Sequence, residues 1–327
     1  MTAISSLVEA LHNPLTRVRP APEDLAQRTP ILLTDRDQAI LTALAIHGYL
    51  TKEMIEVAFF PPACSGRKAS SRFAYKRLRE LWLWDLIERV ELTVPRRSAG
   101  RRPLLFGVGK RGLSTLAAGT ASTLTPGQRR RSERLDSLFL AHDLTAAAVW
   151  AHLQPVIRSG CITGCRWVHE RELKARRVRV RDPATDRLLP VLPDAYVELT
   201  YPDGTVQSCM LEVDMGTLTL ERFGRKLRAF EEYLRQGLFA KQWQRSAFEV
   251  LVLTHSEERL RRLWEIGRRE VPRPGWRWYS FATFDVLTLQ QFTTDDAWLT
   301  LEGDATGLLY DRSSPNVPLS EETTRGP

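Results

Sequence analysis

The chain has 327 residues, 43% hydrophobic and 26% charged, with 19 Gly and 19 Pro. This composition excludes wholesale disorder, a collagen-like repeat and a disulfide-dense mini-protein, and the length suits about two domains that each bury a core. The net charge of +8 points to a polyanionic partner, nucleic acid or an acidic membrane surface. No apolar run reaches the ~18 residues of a spanning helix. The first thirty residues, broken by Pro14, Pro20, Pro22 and Pro30, lack the order of a secretory signal. A soluble cytoplasmic protein is expected, with no membrane partner. The four cysteines, Cys64, Cys161, Cys165 and Cys209, are too few for a disulfide framework. Cys161, Cys165 and His169 lack a fourth zinc ligand at paired spacing and read as thiols and a strand residue.

Residues 1–32 show no sustained periodicity and read as a flexible leader. Thr34 can cap a helix whose first turn holds Asp35 and Asp37, with Ile40, Leu41, Leu44 and Ala45 on one face. Thr51 caps a short second helix through Met54, Ile55, Val57, Ala58 and Phe59, stopped by Pro61-Pro62. A third helix over 69–83 turns Phe73, Leu78, Leu81 and Trp82 inward. Residues 86–94 alternate as a strand, 95–103 form an arginine-rich loop, and 104–108 return as its partner before a short helix at Lys110. Three helices and then a basic-tipped hairpin is the order of a winged helix-turn-helix, assigned here to 33–120. Between residues 66 and 111 lie thirteen Lys and Arg against four acids, a surplus of nine. Arg67, Lys68, Arg72, Lys76 and Arg77 are the expected DNA contacts of the third helix. Arg96, Arg97, Arg101 and Arg102 are those of the wing. A basic linker, 121–133, follows.

The second domain, 134–310, opens with an amphipathic helix over 134–153. Strands follow near 165–173, 195–201 and 206–213, then a helix over 219–236, an apolar strand at 249–254 and a helix over 257–269. The order is helix, three strands, helix, strand, helix, a mixed α/β arrangement. The aromatic residues Trp276, Trp278, Phe281, Phe284 and Trp298 read as core. Residues 311–327 form a polar tail expected to be disordered.

The chemistry gathers on two strands. Asp194 enters the second and Glu212-Val213-Asp214 ends the third, so Glu212 and Asp214 project from one side. If these strands pair, Asp194 approaches the same edge. Three convergent carboxylates suit Mg2+ or Mn2+, which can activate water and neutralise charge on a scissile phosphate. Pro193-Asp194 followed by Glu212-x-Asp214 on the next strand resembles the PD-(D/E)XK nuclease superfamily. Its restriction-endonuclease-like core has the same order of helix, three strands, helix, strand. Five segments together make the whole chain similar to the replication-relaxation family of bacterial plasmids and mobile elements. They are Leu33-Thr-Asp-Arg-Asp37, Ala141-His-Asp-Leu144, Leu192-Pro-Asp-Ala195, Leu211-Glu-Val-Asp-Met-Gly-Thr217 and Lys226-Leu227. The resemblance implies a winged-helix DNA-binding domain joined to a restriction-endonuclease-like domain that acts in DNA replication or relaxation. Asp214 stands where the superfamily carries a lysine, and Lys226, on the following helix, is the stand-in by spacing, with Arg222 second. His142 falls on an amphipathic helix, where half-buried, satisfied histidines are common; in the superfamily, the first helix often lends a residue to the site.

The sequence is compatible with two functions. One is a metal-dependent DNA nuclease or nickase using Asp194, Glu212, Asp214 and Lys226. The other is a non-catalytic initiator accessory or transcriptional regulator whose nuclease-like domain serves dimerisation or partner contact. Double-stranded DNA is the partner in both, with a homodimer and replication or mobilisation proteins as further candidates. If residues 33–118 hold duplex DNA through six or more phosphates, affinity falls by about three orders of magnitude or more between 50 and 200 mM salt. Replacing Arg96, Arg97, Arg101 and Arg102 by Ala flattens that dependence. Titrations of a labelled duplex at several salt concentrations measure both, and a salt-independent Kd would refute the basic-surface reading.

Overall fold

A computed structural model describes residues 15–26, 30–61, 67–92, 104–118, 137–287 and 297–307. Its first half contains β1 (Leu15–Val18), α1 (Pro22–Ala26), α2 (Asp35–His47), β2 (Tyr49–Thr51), α3 (Lys52–Phe59) and α4 (Arg67–Leu83). β3 (Ile87–Leu92), β4 (Leu104–Val108) and α5 (Lys110–Ala118) complete it. The four strands form one sheet in the order β1-β3-β4-β2. All its pairings are antiparallel, with Val90 opposite Leu105. Arg96, Arg97, Arg101 and Arg102, the linker 121–133 and the tail 311–327 lie outside the described residues.

α2 begins as its sequence dictates. The Thr34 side chain accepts from the Asp37 N–H, and Asp37 accepts from the Thr34 N–H at 2.8 Å, a reciprocal cap. Asp37 is fully buried. Arg77 of α4 meets it with Nε at 2.9 Å and Nη2 at 2.5 Å, while its remaining donors reach Glu80 and the Leu32 carbonyl. This corrects the expectation that Arg77 contacts DNA, because its guanidinium is consumed in holding α4 against the start of α2. Two further expectations change. Phe73 is 65% exposed rather than inward, beside exposed Arg72 and near exposed Lys76. The stretch expected to be a flexible leader contains β1 and α1. β1 pairs with β3, Trp82 donates to the Val18 carbonyl at 3.1 Å, and Arg79 meets Asp24 at 2.7 Å. Those partners lie more than fifty residues away, so the leader's own periodicity carries no trace of them.

The second half runs α6 (Ser137–Arg158), β5 (Gly164–His169), α7 (Glu170–Arg176), β6 (Arg179–Arg181), β7 (Leu188–Pro190), β8 (Ala195–Thr200) and β9 (Val206–Asp214). It continues with α8 (Leu220–Arg235), α9 (Leu238–Trp243), β10 (Glu249–Thr254), α10 (Glu257–Glu270), β11 (Tyr279–Thr283), β12 (Trp298–Thr300) and β13 (Ala305–Thr306). Seven strands form a sheet in the order β13-β12-β11-β10-β9-β8-β5. β10 lies parallel to both β9 and β11, and the remaining pairings are antiparallel. Alternation sorts β9 between two cores. Cys209, Leu211 and Val213 join Leu144 and Ala148 of α6 on one face, and Met210 joins Phe223, Leu227 and Leu263 of α8 and α10 on the other. Phe281, Phe284 and Trp298 are buried as expected. The expected strand over 165–173 is shorter, because His169 accepts from the Arg171 N–H and starts α7, with acids in its first turn and basic residues in its last.

α6 also joins the halves. His47 lies 4.6 Å and Phe59 5.9 Å from the Trp150 ring, and Arg158 donates to the carbonyls of Val57 and Ala58 at the end of α3. No helix of the described residues is long and apolar enough to cross a membrane.

Burial alone would raise the Asp37 carboxyl, but the hydrogen bonds and charge of Arg77 and the Thr34 cap hold it below the usual carboxylate range. Its stabilising effect is therefore complete above the unfolded value near 3.9 and is lost as pH falls through the lower folded value. Asp37→Ala breaks the cap and strands Arg77. A loss of about 2–3 kcal/mol is expected, under the range for fully buried pairs because Arg77 keeps 23% side-chain exposure. Urea unfolding at pH 7 measures it, and an unchanged midpoint would show that the pair contributes nothing.

Candidate active site

The antiparallel β8–β9 pairing sets Ala195 opposite Leu211. Just before β8, the Asp194 N–H donates to the Leu211 carbonyl at 2.9 Å and Asp194 Oδ2 accepts from the Val213 N–H at 2.8 Å. These two bonds fix the carboxylate at the end of the sheet, between its faces. From one face α6 brings His142, whose Nε2 lies 3.1 Å from Asp194 Oδ2. From the other, α8 brings Lys226, whose Nζ contacts Glu212 Oε2 and lies 3.8 Å from Asp194 Oδ1. Asp194 and Glu212 are 7% and 4% exposed. The site is a quartet of two buried carboxylates and two half-buried cations.

The structure thus brings together Asp194, Glu212 and Lys226, three of the four residues named from the sequence. Asp214 is the exception. That side chain does leave the same face of β9 as Glu212, but Arg259 of α10 takes both its oxygens at 2.8 and 3.0 Å. Thr254, opposite it on β10, donates at 3.0 Å, and the Gly216 N–H at 3.2 Å. Gly216 has φ +79°, and a Cβ there would meet His255 Nε2 at 2.8 Å, so the turn that returns this N–H requires glycine. Asp214 thus ties β9 to α10 and does not converge with the other two acids. Among the described residues no cluster of three or more His, Cys, Asp or Glu is arranged around a metal position. Arg259 gave no signal in the sequence. His142 did, as the His-Asp pair on α6, and it belongs to the site.

The electrostatics separate the two carboxyls. Burial alone would raise Asp194, but Lys226, His142 and the Val213 N–H hold it well below the usual range. Glu212 contacts one cation, Lys226, and its Oε1 is buried with no hydrogen-bond partner among the described residues. Burial, aided by the negative charge of Asp194, pushes it up to about 8 despite Lys226. Burial would lower Lys226 and His142, yet Asp194 raises both, with Glu212 adding to Lys226 and Asp143 to His142. Lys226 and His142 are therefore charged at neutral pH. Asp194 takes most of that compensation.

Of the expected DNA contacts, Arg72 and Lys76 stand exposed on α4, and Arg67 and Lys68 open that helix. Residues 41–247 match the model of the replication-relaxation family, a segment that contains His142, Asp194, Glu212 and Lys226 and excludes Arg259. No curated protein and no solved structure matches the chain.

The raised Glu212 carboxyl has a pH signature. Its folded value, about 8, lies above the unfolded value near 4.3. Its favourable contribution is thus complete below pH 4.3 and declines as pH rises towards 8. In EDTA, Glu212→Gln should abolish that decline, so its melting temperature should gain on wild type between pH 5 and 8 and then level off. A difference that does not vary with pH would show that Glu212 ionises as an ordinary surface carboxyl.

Proposed function

Because the chain belongs to the replication-relaxation family, we propose that it binds plasmid or mobile-element DNA and that its second half nicks or cleaves a phosphodiester at Asp194, Glu212 and Lys226. The observation that carries this reading is the reach of Lys226 from α8 to both carboxylates. It supplies the cation that the strand lacks at position 214. The order α6, β5, β8, β9, α8, β10 supports a restriction-endonuclease-like domain. The helices α2, α3 and α4 ahead of the β3–β4 hairpin support a winged helix-turn-helix, with Arg72 and Lys76 on the exposed face of α4 beside Phe73. A cationic helix of this kind can hold phosphates while an exposed aromatic meets base edges.

The acids fit a divalent cation of the Mg2+ or Mn2+ type. Among the described residues Glu212 Oε1 is a hard oxygen with no hydrogen-bond partner, and Asp194 Oδ1 faces the Lys226 ammonium at 3.8 Å. One or two carboxylates are enough for magnesium when phosphate and water complete its shell, so Asp214 is not required. When bound, such an ion supplies charge neutralisation at the phosphate and a more acidic water. The remaining work belongs to the protein. Lys226 places its ammonium where charge gathers on the phosphate, in a site preorganised by two strands and two helices. His142 and the Val213 N–H orient Asp194. The same quartet also favours a second reading, a non-catalytic DNA-binding regulator, because Lys226 and His142 already compensate the carboxylates without a metal.

Nicking of supercoiled plasmid with Mg2+ or Mn2+ separates the two readings. Wild type should nick, Asp194→Ala should not, and Lys226→Met should slow nicking by about 10²–10³ while leaving duplex affinity near wild type. A divalent ion should raise the melting temperature of wild type but not of Glu212→Gln. Duplex binding without nicking under either metal would establish the regulator reading.

A further inference from the structure

Between β5 and β8 the chain inserts α7 and the β6–β7 hairpin. Residues 171–187 hold seven Lys and Arg against three acids. The hairpin is rigid. Val180, Leu189 and Val191 are buried against the core that α8 shares. Asp182, 2% exposed, closes the turn by accepting from the Ala184 N–H at 3.0 Å and the Thr185 hydroxyl at 2.9 Å. Gln236, just past α8, donates to the Arg181 carbonyl at 2.8 Å and accepts from its N–H at 3.4 Å.

Strand alternation then decides what faces outward. Val180 and Leu189 pair inward, while Arg181 pairs with Leu188 and Arg179 with Pro190 on the opposite, exposed side. Leu188 is 54% exposed, a large apolar side chain set among arginines. Arg177, Arg179 and Arg187 are exposed and have no ion-pair partner among the described residues. The 2.6 Å pair of Arg181 with Asp186 is solvent-exposed on both sides, 60% and 82%, and easily exchanged. A rigid hairpin with several unpaired guanidinium groups around one apolar tip matches what a DNA groove demands. Arginines take phosphates, and an apolar wedge enters between base steps.

We infer that the β6–β7 hairpin is a second duplex-binding element, separate from α4 and the wing, with Arg177, Arg179 and Arg187 on phosphates and Leu188 against the base stack. Its anchor, Gln236, lies ten residues beyond Lys226, roughly 15 Å along the helix axis. That span covers about four to five base-pair steps at 3.4 Å each. The hairpin is thus anchored to the same helix that carries Lys226 and is placed to grip the duplex that presents its phosphate there. This inference rests on the DNA reading above but not on cleavage.

The test is duplex binding by the full chain, followed by anisotropy across a salt series. In the Arg177→Ala, Arg179→Ala, Arg187→Ala triple variant, the slope of log K against log salt should shrink by about 2.7, at ~0.9 per phosphate contact. The matching Arg→Lys triple variant should restore it. Leu188→Ala should leave the slope unchanged and reduce the fluorescence rise of 2-aminopurine placed in the duplex. All four side chains are exposed, and circular dichroism verifies folding. An unchanged slope in the Ala triple variant, while Arg72→Ala with Lys76→Ala still weakens binding, overturns the hairpin alone and leaves its basic face to an acidic protein. Absence of duplex binding by wild type at any salt overturns the hairpin together with the DNA reading. Loss of the slope in a protein that never nicks supports the hairpin and removes only the catalytic reading.

Discussion

Two carboxylates buried at the end of one strand pair repel each other and have lost their water, and this arrangement persists only where cations stand beside them. In this protein that requirement dictates the geometry. Asp194 is fixed by backbone bonds to Leu211 and Val213, so it cannot withdraw from Glu212. Lys226 and His142 must come to it, one from each face of the sheet. The result is a site whose charges are set by packing on both sides, and whose two acids are driven apart in proton affinity.

The same arrangement ties the site to the first half of the chain. α6 carries His142 near its start and, two turns on, Trp150, which stacks with His47 and Phe59. Arg158 then closes the end of α3. One helix thus spans from the helical half, with its basic α4, to the carboxylates, so the same element that packs on α3 also carries His142 to Asp194. Arg77 plays a corresponding part within that half: a cation that looks from its neighbours like a DNA contact is spent on a buried acid.

Asp214 shows how position on a strand differs from membership of a site. It shares a face with Glu212, yet α10 crosses the sheet at its level and presents Arg259, while the parallel neighbour β10 presents Thr254. A carboxylate surrounded by four donors has little capacity left for a metal. Glu212, two residues earlier, keeps one oxygen with no hydrogen-bond partner among the described residues.

By itself the sequence determined what local rules control. The cap at Thr34, the apolar stripes of α2, α6 and α8, the alternation at the end of β9, the apolar run of β10 and the order of α6, β5, β8, β9, α8, β10 and α10 follow from periodicity and turn chemistry, whereas α7 and the β6–β7 hairpin do not. Asp194, Glu212 and Lys226 were legible because hairpin pairing and helical spacing leave few alternatives. What the tertiary structure alone decided are contacts between residues distant along the chain. They include Arg77 on Asp37, Arg259 on Asp214, β1 on β3, the outward turn of Phe73 and the nearness of His142 to Asp194. Each depends on which helix crosses which strand and at what height. No residue's own neighbours encode that, because a charge or an aromatic ring is equally compatible locally with solvent, a ligand or a partner forty residues away.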